Sequence, residues 1–233
     1  MKDESCYVVE NHLNQALCLS GLEGITEIDA TAHPHIDEVE LVDCSTVNRI
    51  VFDEEGASRV PRSIRVAGRW SGSLEIDGVL HSISYVDPSH ERNITIGEGR
   101  RNSDPYMRAG VNGLITDDYR ELQAAFGSTD DLLFLPEADL EGQLDIGDSS
   151  GSVFRHLGIS GPSRIQSLDI HCRDGGAQSI IIRGLPYLQS IHIDGHVELL
   201  EIENCPQLTS VSGQGAMLRL NAGVHQKVSV AGL

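Results

Sequence analysis

The sequence predicts a mainly β fold: a repeat solenoid of short parallel strands, about 20–24 residues per coil, interrupted by one short helical insertion. Three observations predict it. Two apolar residues flank one variable residue about every 9–12 positions, as in Leu168/Ile170, Ile180/Ile182, Ile191/Ile193 and Leu200/Ile202. The intervals are filled by Gly, Asp, Asn, Ser and Pro, the residues that make tight turns. Every second triplet falls into one series, Leu144, Leu168, Ile191, Val211, and the others into a second, Leu157, Ile180, Leu200, Leu218. Strand side chains alternate between faces, so each triplet buries its two ends and exposes its centre.

Residues 1–23 read as an N-terminal cap in which Val8 and Leu17/Leu19 are irregular first strands. Residues 24–96 form the first repeats, through Ile28, Val39/Leu41, Ile50/Phe52, Ile64/Val66, Leu74/Ile76, Ile83/Tyr85 and Ile94/Ile96. Pro34, Pro61 and Pro88 fall between triplets, where they interrupt no ladder. Residues 97–131 read as a protruding insertion: a glycine-rich, locally basic stretch, then a helix over about 117–126. Thr116 is the expected N-cap; Tyr119, Leu122 and Phe126 form one apolar stripe, and Gly127 ends the helix. The rhythm resumes at Leu133/Leu135, and residues 132–233 form the second repeats. The expectation is a single solenoid domain with one continuous core; the alternative makes the insertion a boundary between two short stacks. A three-sided coil of about 33 residues would regroup every face. The C-terminal end has no distinct polar cap, which predicts self-association or a partner there.

The chain carries 17 Lys and Arg against 35 Asp and Glu, a net charge of −18 that opposes nucleic-acid phosphates and anionic membranes and favours a basic protein partner. The first residues are acidic where a secretory signal needs a basic region, and no apolar run has the length of a membrane span, so a cytoplasmic location is expected, with secretion lacking a cleaved signal as the alternative. Five irregularly spaced cysteines without a CxxC argue for reduced, buried thiols rather than disulfides or zinc. No phosphate-binding or dinucleotide fingerprint and no GxSxG, HExxH or EF-hand pattern occurs; no cofactor and no metal are expected. His33/His35 and His192/His196 are weak metal candidates, because a turn separates the second pair.

Two stretches share a longer pattern. Ile36, Val39, Leu41, Cys44, Val47 and Ile50 read LxxLxLxxCxxLxxL, and Val197, Leu200, Ile202, Cys205, Leu208 and Val211 repeat it; LQSIHIDGHVELL places His196 at the cysteine position. This resembles the irregular, cysteine-type leucine-rich repeats. Most coils lack the Asn or Cys of that family and the second half of each reads as strand, which brings the object nearer to a two-sided β-solenoid. The resemblance implies a protein-binding surface.

With coils of about 22 residues, triplet centres stack roughly 4.8 Å apart on adjacent strands. One series places Asp145, Asp169 and His192 together, a row suited to contact or, through paired carboxylates, to acid-base work. The other places Ile181, Glu201 and Arg219 together, an apolar centre beside an ion pair. Arg100, Arg101 and Arg108 form the basic cluster of the insertion and are candidate contacts. The expected function is non-catalytic recognition of another protein, as an immunity, adaptor, inhibitor or effector protein. The alternative is a parallel β-helix enzyme cleaving polysaccharide through Asp145 and Asp169, which the low aromatic content of 4% disfavours.

Overall fold

The computed structural model describes residues 5–9, 16–32, 36–52, 62–70, 72–97, 110–147, 154–172, 176–214, 217–220 and 229–231. It is a mainly β solenoid of about eight turns with one short helix. The first stack is built from β1 (Cys6–Val8), β2 (Ala16–Ser20), β3 (Glu27–Asp29), β4 (Glu38–Val42), β5 (Arg49–Val51), β6 (Arg62–Ala67) and β7 (Ser73–Val86). Its strands form two parallel ladders. One runs β1-β3-β5-β7, with Ile28 opposite Ile50 and Ile76; the other runs β2-β4-β6-β7, with Leu17 opposite Val39, Ile64 and Ile83. Within the stretch 1–23 expected as a cap of irregular first strands, β1 and β2 are regular rungs of these ladders.

Strand polarity then reverses. β8 (Ile94–Gly97) pairs antiparallel with residues 82–85 of β7, and β9 (Gly110–Thr116) pairs antiparallel with residues 73–80. After the helix α1 (Tyr119–Ala125), β10 (Asp131–Phe134) pairs parallel with β9 and starts the second stack. That stack contains β11 (Glu141–Ile146), β12 (His156–Ser160), β13 (Arg164–His171), β14 (Ala177–Arg183), β15 (Ser190–Glu203), β16 (Ser210–Gln214), β17 (Met217–Leu220) and β18 (Ser229–Ala231). The ladder entered through β9 and β10 continues β12-β14-β15-β17, and a separate ladder runs β11-β13-β15-β16-β18. Leu144, Leu168, Ile191, Val211 and Val230 lie in one register and Leu157, Ile180, Leu200 and Leu218 in the other. Among the described residues the coil is two-sided, not the three-sided alternative.

Before the last described rungs both triplet ends are buried along the stacks, each such side chain contributing about 1.5–3 kcal/mol of apolar burial. The buried residues fall into two clusters rather than the one core expected. They meet across the central ladder: Leu132 and Phe134 of β10 enter the second cluster, while Leu133 and Leu135 enter the first, and Leu114 and Ile115 of β9 divide likewise. The described part of the expected insertion is therefore not a protrusion. β9 is the strand that joins the two stacks, and α1 packs beside it.

The helix starts from Asp118, whose side chain accepts from Arg120 N at 2.7 Å, rather than from Thr116. Thr116 Oγ1 instead accepts from Asp118 N at 3.1 Å and donates to Glu121 Oε2 at 2.9 Å. The apolar stripe faces the second core as its spacing predicts, with Leu122 buried, Tyr119 against Phe134 and Phe126 against Phe154. Tyr119 Oη donates to Asp145 O at 2.5 Å and Gln123 Nε2 donates to the same carbonyl, so the helix shields the edge of β11. At the last described rungs, Leu220 and Val230 are 40% and 47% exposed. No helix among the described residues is long and apolar enough to cross a membrane.

The two cysteine-containing stretches occupy equivalent corners. Asp43 and Asn204 adopt φ of 52° and 54°, turning the chain so that Cys44 and Cys205 point inward. Cys44 Sγ donates to Leu19 O at 3.6 Å and Val42 O at 3.4 Å; Cys205 Sγ donates to Glu203 O at 3.5 Å. Two glycines are dictated by space. Gly195 turns β15 from one ladder to the other at φ 117°, where an added Cβ would lie 2.2 Å from Cys172 O. Gly158 of β12 meets β8, and an added Cβ would lie 2.7 Å from Ile96 Cγ2 and 2.5 Å from Leu133 Cδ2.

Both alanine replacements should destabilise, to different degrees. Gly195→Ala meets rigid backbone at a positive φ and should lose at least about 3 kcal/mol. Gly158→Ala meets side-chain ends that shift, and about 1–2 kcal/mol is expected. Urea unfolding of the two variants checks the order.

Candidate functional site

Asp145, Asp169 and His192 stand on adjacent rungs of the β11-β13-β15 ladder, as the sequence predicts. Gln143 Nε2 ties the first two together, donating to Asp169 Oδ2 at 2.6 Å and Asp145 Oδ1 at 3.2 Å. His192 Nδ1 is 2.8 Å from Ser212 Oγ on the next rung, and His171 Nδ1 lies 3.6 Å from Asp194 Oδ2 beside it. The row is a solvated face whose polar groups are largely engaged with one another.

Ile181, Glu201 and Arg219 also share one register. Ile181, expected to be exposed, is instead partly buried against the first core, because β8 ends over β12 and β14. Glu201 Oε1 is 3.9 Å from Arg183 Nη2, which pairs more closely with Glu203 at 2.7 Å. Arg100, Arg101 and Arg108 lie outside the described residues, as do His33 and His35. Among the described residues no cluster of His, Cys, Asp and Glu is arranged to hold a metal ion.

The thiols divide by environment. Burial pushes Cys172 up to about 12 and Cys205 up to about 11, which keeps both protonated and unreactive at neutral pH. Cys18, expected to be buried, is exposed, with Sγ 3.7 Å from Glu40 Oε2.

One surface cleft was not predicted from the sequence. Where β7 and β9 turn their outer face toward α1, they enclose a cleft of about 340 Å³. Ser73, Glu75, Asp77 and Asn112 come from the strands, Glu121 and Thr129 from the helix and the turn after it. Leu114, Ala124 and Ala125 supply apolar wall. The alternation of β7 places Ser73, Glu75 and Asp77 on one face, and antiparallel pairing sets Asn112 opposite Asp77. Arg49 grips Asp77 with Nη2 at 2.7 Å and Nε at 3.2 Å, and its Nη1 is 3.5 Å from Glu27 Oε2. The hydrogen bond and charge of Asp77 raise the Arg49 pKa. Glu75 stands opposite Arg49 across the β5/β7 ladder and shares its charge, which Asp77 holds more directly, so the cleft keeps a less firmly paired carboxylate beside an apolar wall. The sequence signal for this site is the SLEID stretch, which reads simply as one more triplet until β9 and α1 are placed beside it.

A second arrangement absent from the sequence reading is a buried polar row, Asp131, His156 and Ser179, on adjacent rungs of β10, β12 and β14. Arg155 Nε donates to His156 Nε2 at 3.1 Å, so the network assigns the proton to Nδ1, 2.7 Å from Ser179 Oγ. Burial, and then the Arg155 charge, lower the His156 pKa to about 3. The residue types are those of a hydrolytic triad, but His156 donates to the serine and its other nitrogen is occupied, so it is not placed to take the hydroxyl proton. Asp131 is 1% exposed, and neither carboxylate oxygen has a hydrogen-bond partner.

No protein-family model matches the chain, and comparisons with curated proteins and with solved structures likewise find no match.

His156 has a signed consequence for stability. It is neutral in the fold and ionises near its usual 6.5 when unfolded, so its contribution is complete above that pH and is lost as pH falls toward about 3. His156→Gln should remove this loss: its stability relative to the unmodified protein should rise by on the order of 2–3 kcal/mol between about pH 7 and about pH 4. Guanidinium denaturation of both proteins across that range measures the difference.

Proposed function

We propose that the protein is a non-catalytic recognition module that holds a partner protein by a basic segment seated between the β7/β9 face and α1. The observation that carries this reading is the cleft itself, in which Glu75, Asp77 and Glu121 converge beside Leu114, Ala124 and Ala125. A lysine or arginine side chain fits both features: its methylenes lie on the apolar wall and its charged end reaches Glu75. Arg49 bonds Asp77 directly and reaches Glu75 only through its charge, and Glu121 accepts from Thr116, so Glu75 is the carboxylate with most to gain from an incoming cation.

The charge of −18 supports the same choice of partner, steering basic surfaces toward the protein and repelling nucleic acid. The resemblance of the Cys44 and Cys205 stretches to cysteine-type leucine-rich repeats points the same way, since recognition dominates that family. Asp145 and Asp169, bridged by Gln143, are assigned to contact rather than to polysaccharide hydrolysis.

Zero-length carbodiimide cross-linking with mass spectrometric mapping tests the reading. Partner lysines joined to Glu75 or Glu121 are expected, and the charge reversal Glu75→Lys should weaken capture of that partner at least about tenfold, or about 1.4 kcal/mol. The same reversal at Asp194, an exposed carboxylate of β15 that touches neither the cleft nor α1, should change capture less than about twofold. Equal loss from both reversals, or cross-links that avoid the cleft, would overturn the assignment.

A further inference from the structure

We propose that Asp131 makes the seam between the two stacks a pH-responsive lock, closed when its carboxyl is protonated and loosened when it is ionised. The placement carries the inference. Asp131 opens β10, the strand whose alternate residues serve the two cores, and by alternation it falls on the face of Leu133, that of the first core. Its partner across the ladder is Gly113 of β9, and an added Cβ there would meet Leu80 Cδ1 at 2.6 Å and Ile83 Cδ1 at 2.4 Å. The carboxyl thus sits where β7, β9, β10 and β12 converge, 1% exposed and without a hydrogen bond to either oxygen.

The surroundings explain why the ionised form is poorly held. Among the described residues β9 and β8 offer no titratable side chain. β7 contributes His81 and Tyr85, but the Tyr85 hydroxyl is turned to Gly68 O at 3.3 Å. Arg155, just before β12, and His156 are bonded through Nε and the ring nitrogens to each other and to Gln178 and Ser179; Arg155 Nη1 is buried without a partner, and the Arg155 charge reaches Asp131 without a hydrogen bond to its carboxylate. Arg183 of β14 pairs with Glu203, and α1 packs on the opposite face of the ladder. Asp130, next in the chain, adds a like charge. Burial above all, reinforced by Asp130 and opposed by Arg155, holds the carboxyl up to about 7. The sign follows directly. A carboxyl raised in the fold favours the closed seam fully below its unfolded pKa of 3.8, and that advantage is lost as pH rises through about 7. Opening the seam hydrates the carboxylate, so the opening is local to β9, β10 and β12.

Hydrogen exchange on the full chain, corrected for intrinsic rates, tests the lock at about pH 5.5 and about pH 8.5. The ratio of protection in Asp131→Asn to that in the unmodified protein should grow at least about tenfold over this range for amides of β9, β10 and β12, and less than about twofold for β3, β4 and β16. Parallel profiles, or a change spread evenly over the chain, would sink the proposal. Should the variant fold poorly, carboxyl-carbon NMR of aspartate in the unmodified protein decides. One signal titrating near neutrality, together with seam protection that falls as pH rises to its midpoint and levels off above it, is expected; titration of every aspartate in the ordinary range, or constant protection, overturns the lock.

Discussion

Two hydrophobic cores are satisfied by the same strands, and the rest of the molecule depends on that constraint. β9 and β10 send alternate side chains into opposite clusters, and β10 has no solvent face to spare. A strand buried on both sides needs a continuous apolar run rather than alternation, and Leu132, Leu133, Phe134 and Leu135 supply it. The stacks are thereby joined by shared backbone pairing instead of a docked surface. Reversal of polarity at β7/β9 sends the second outer ladder to the opposite face, which leaves a step beside each stack. One step is the acidic cleft against α1. The other is occupied by β8, which covers Ile181.

Polar chemistry concentrates where this geometry leaves least choice. On the open ladders, carboxylates, amides and hydroxyls form chains of contacts between rungs, as Gln143 does with Asp145 and Asp169 and as Ser190 does with Ser167 at 3.0 Å. Such groups are exposed and tied to neighbours, and each contributes little. At the seam the same kinds of residue are inside. His156, kept neutral by burial and the Arg155 charge, has both ring nitrogens bonded, whereas Asp131 beside it has no bond to either oxygen, and that asymmetry separates a structural group from a responsive one.

Much of the fold was legible in the residues. The register of Leu144 with Leu168, Ile191 and Val211 follows from spacing alone, because a strand slipped by one residue would turn its apolar pair outward. The same logic made neighbours of Asp145, Asp169 and His192, and of Ile181, Glu201 and Arg219. The Tyr119, Leu122 and Phe126 stripe likewise faces a core, as helical spacing requires. The cleft and the seam were not legible, since each joins strands whose order in space differs from their order in the chain.

By itself, then, the sequence determined the rung: which residues point inward, how long a coil is, where a helix forms, and how acidic the surface must be. These are local consequences of side-chain alternation, turn chemistry and charge. Tertiary structure alone decided how the coils meet. A triplet carries no mark of whether its neighbour runs parallel or antiparallel, so nothing in SLEID announces that Glu75 will face α1 across β9. Nor does an aspartate before an apolar run announce burial: Asp131 loses its water between β9 and β12, its neighbours on the ladder. Pairing order, which long-range packing sets, converted an evenly repeated pattern into one distinctive cleft and one sensitive seam.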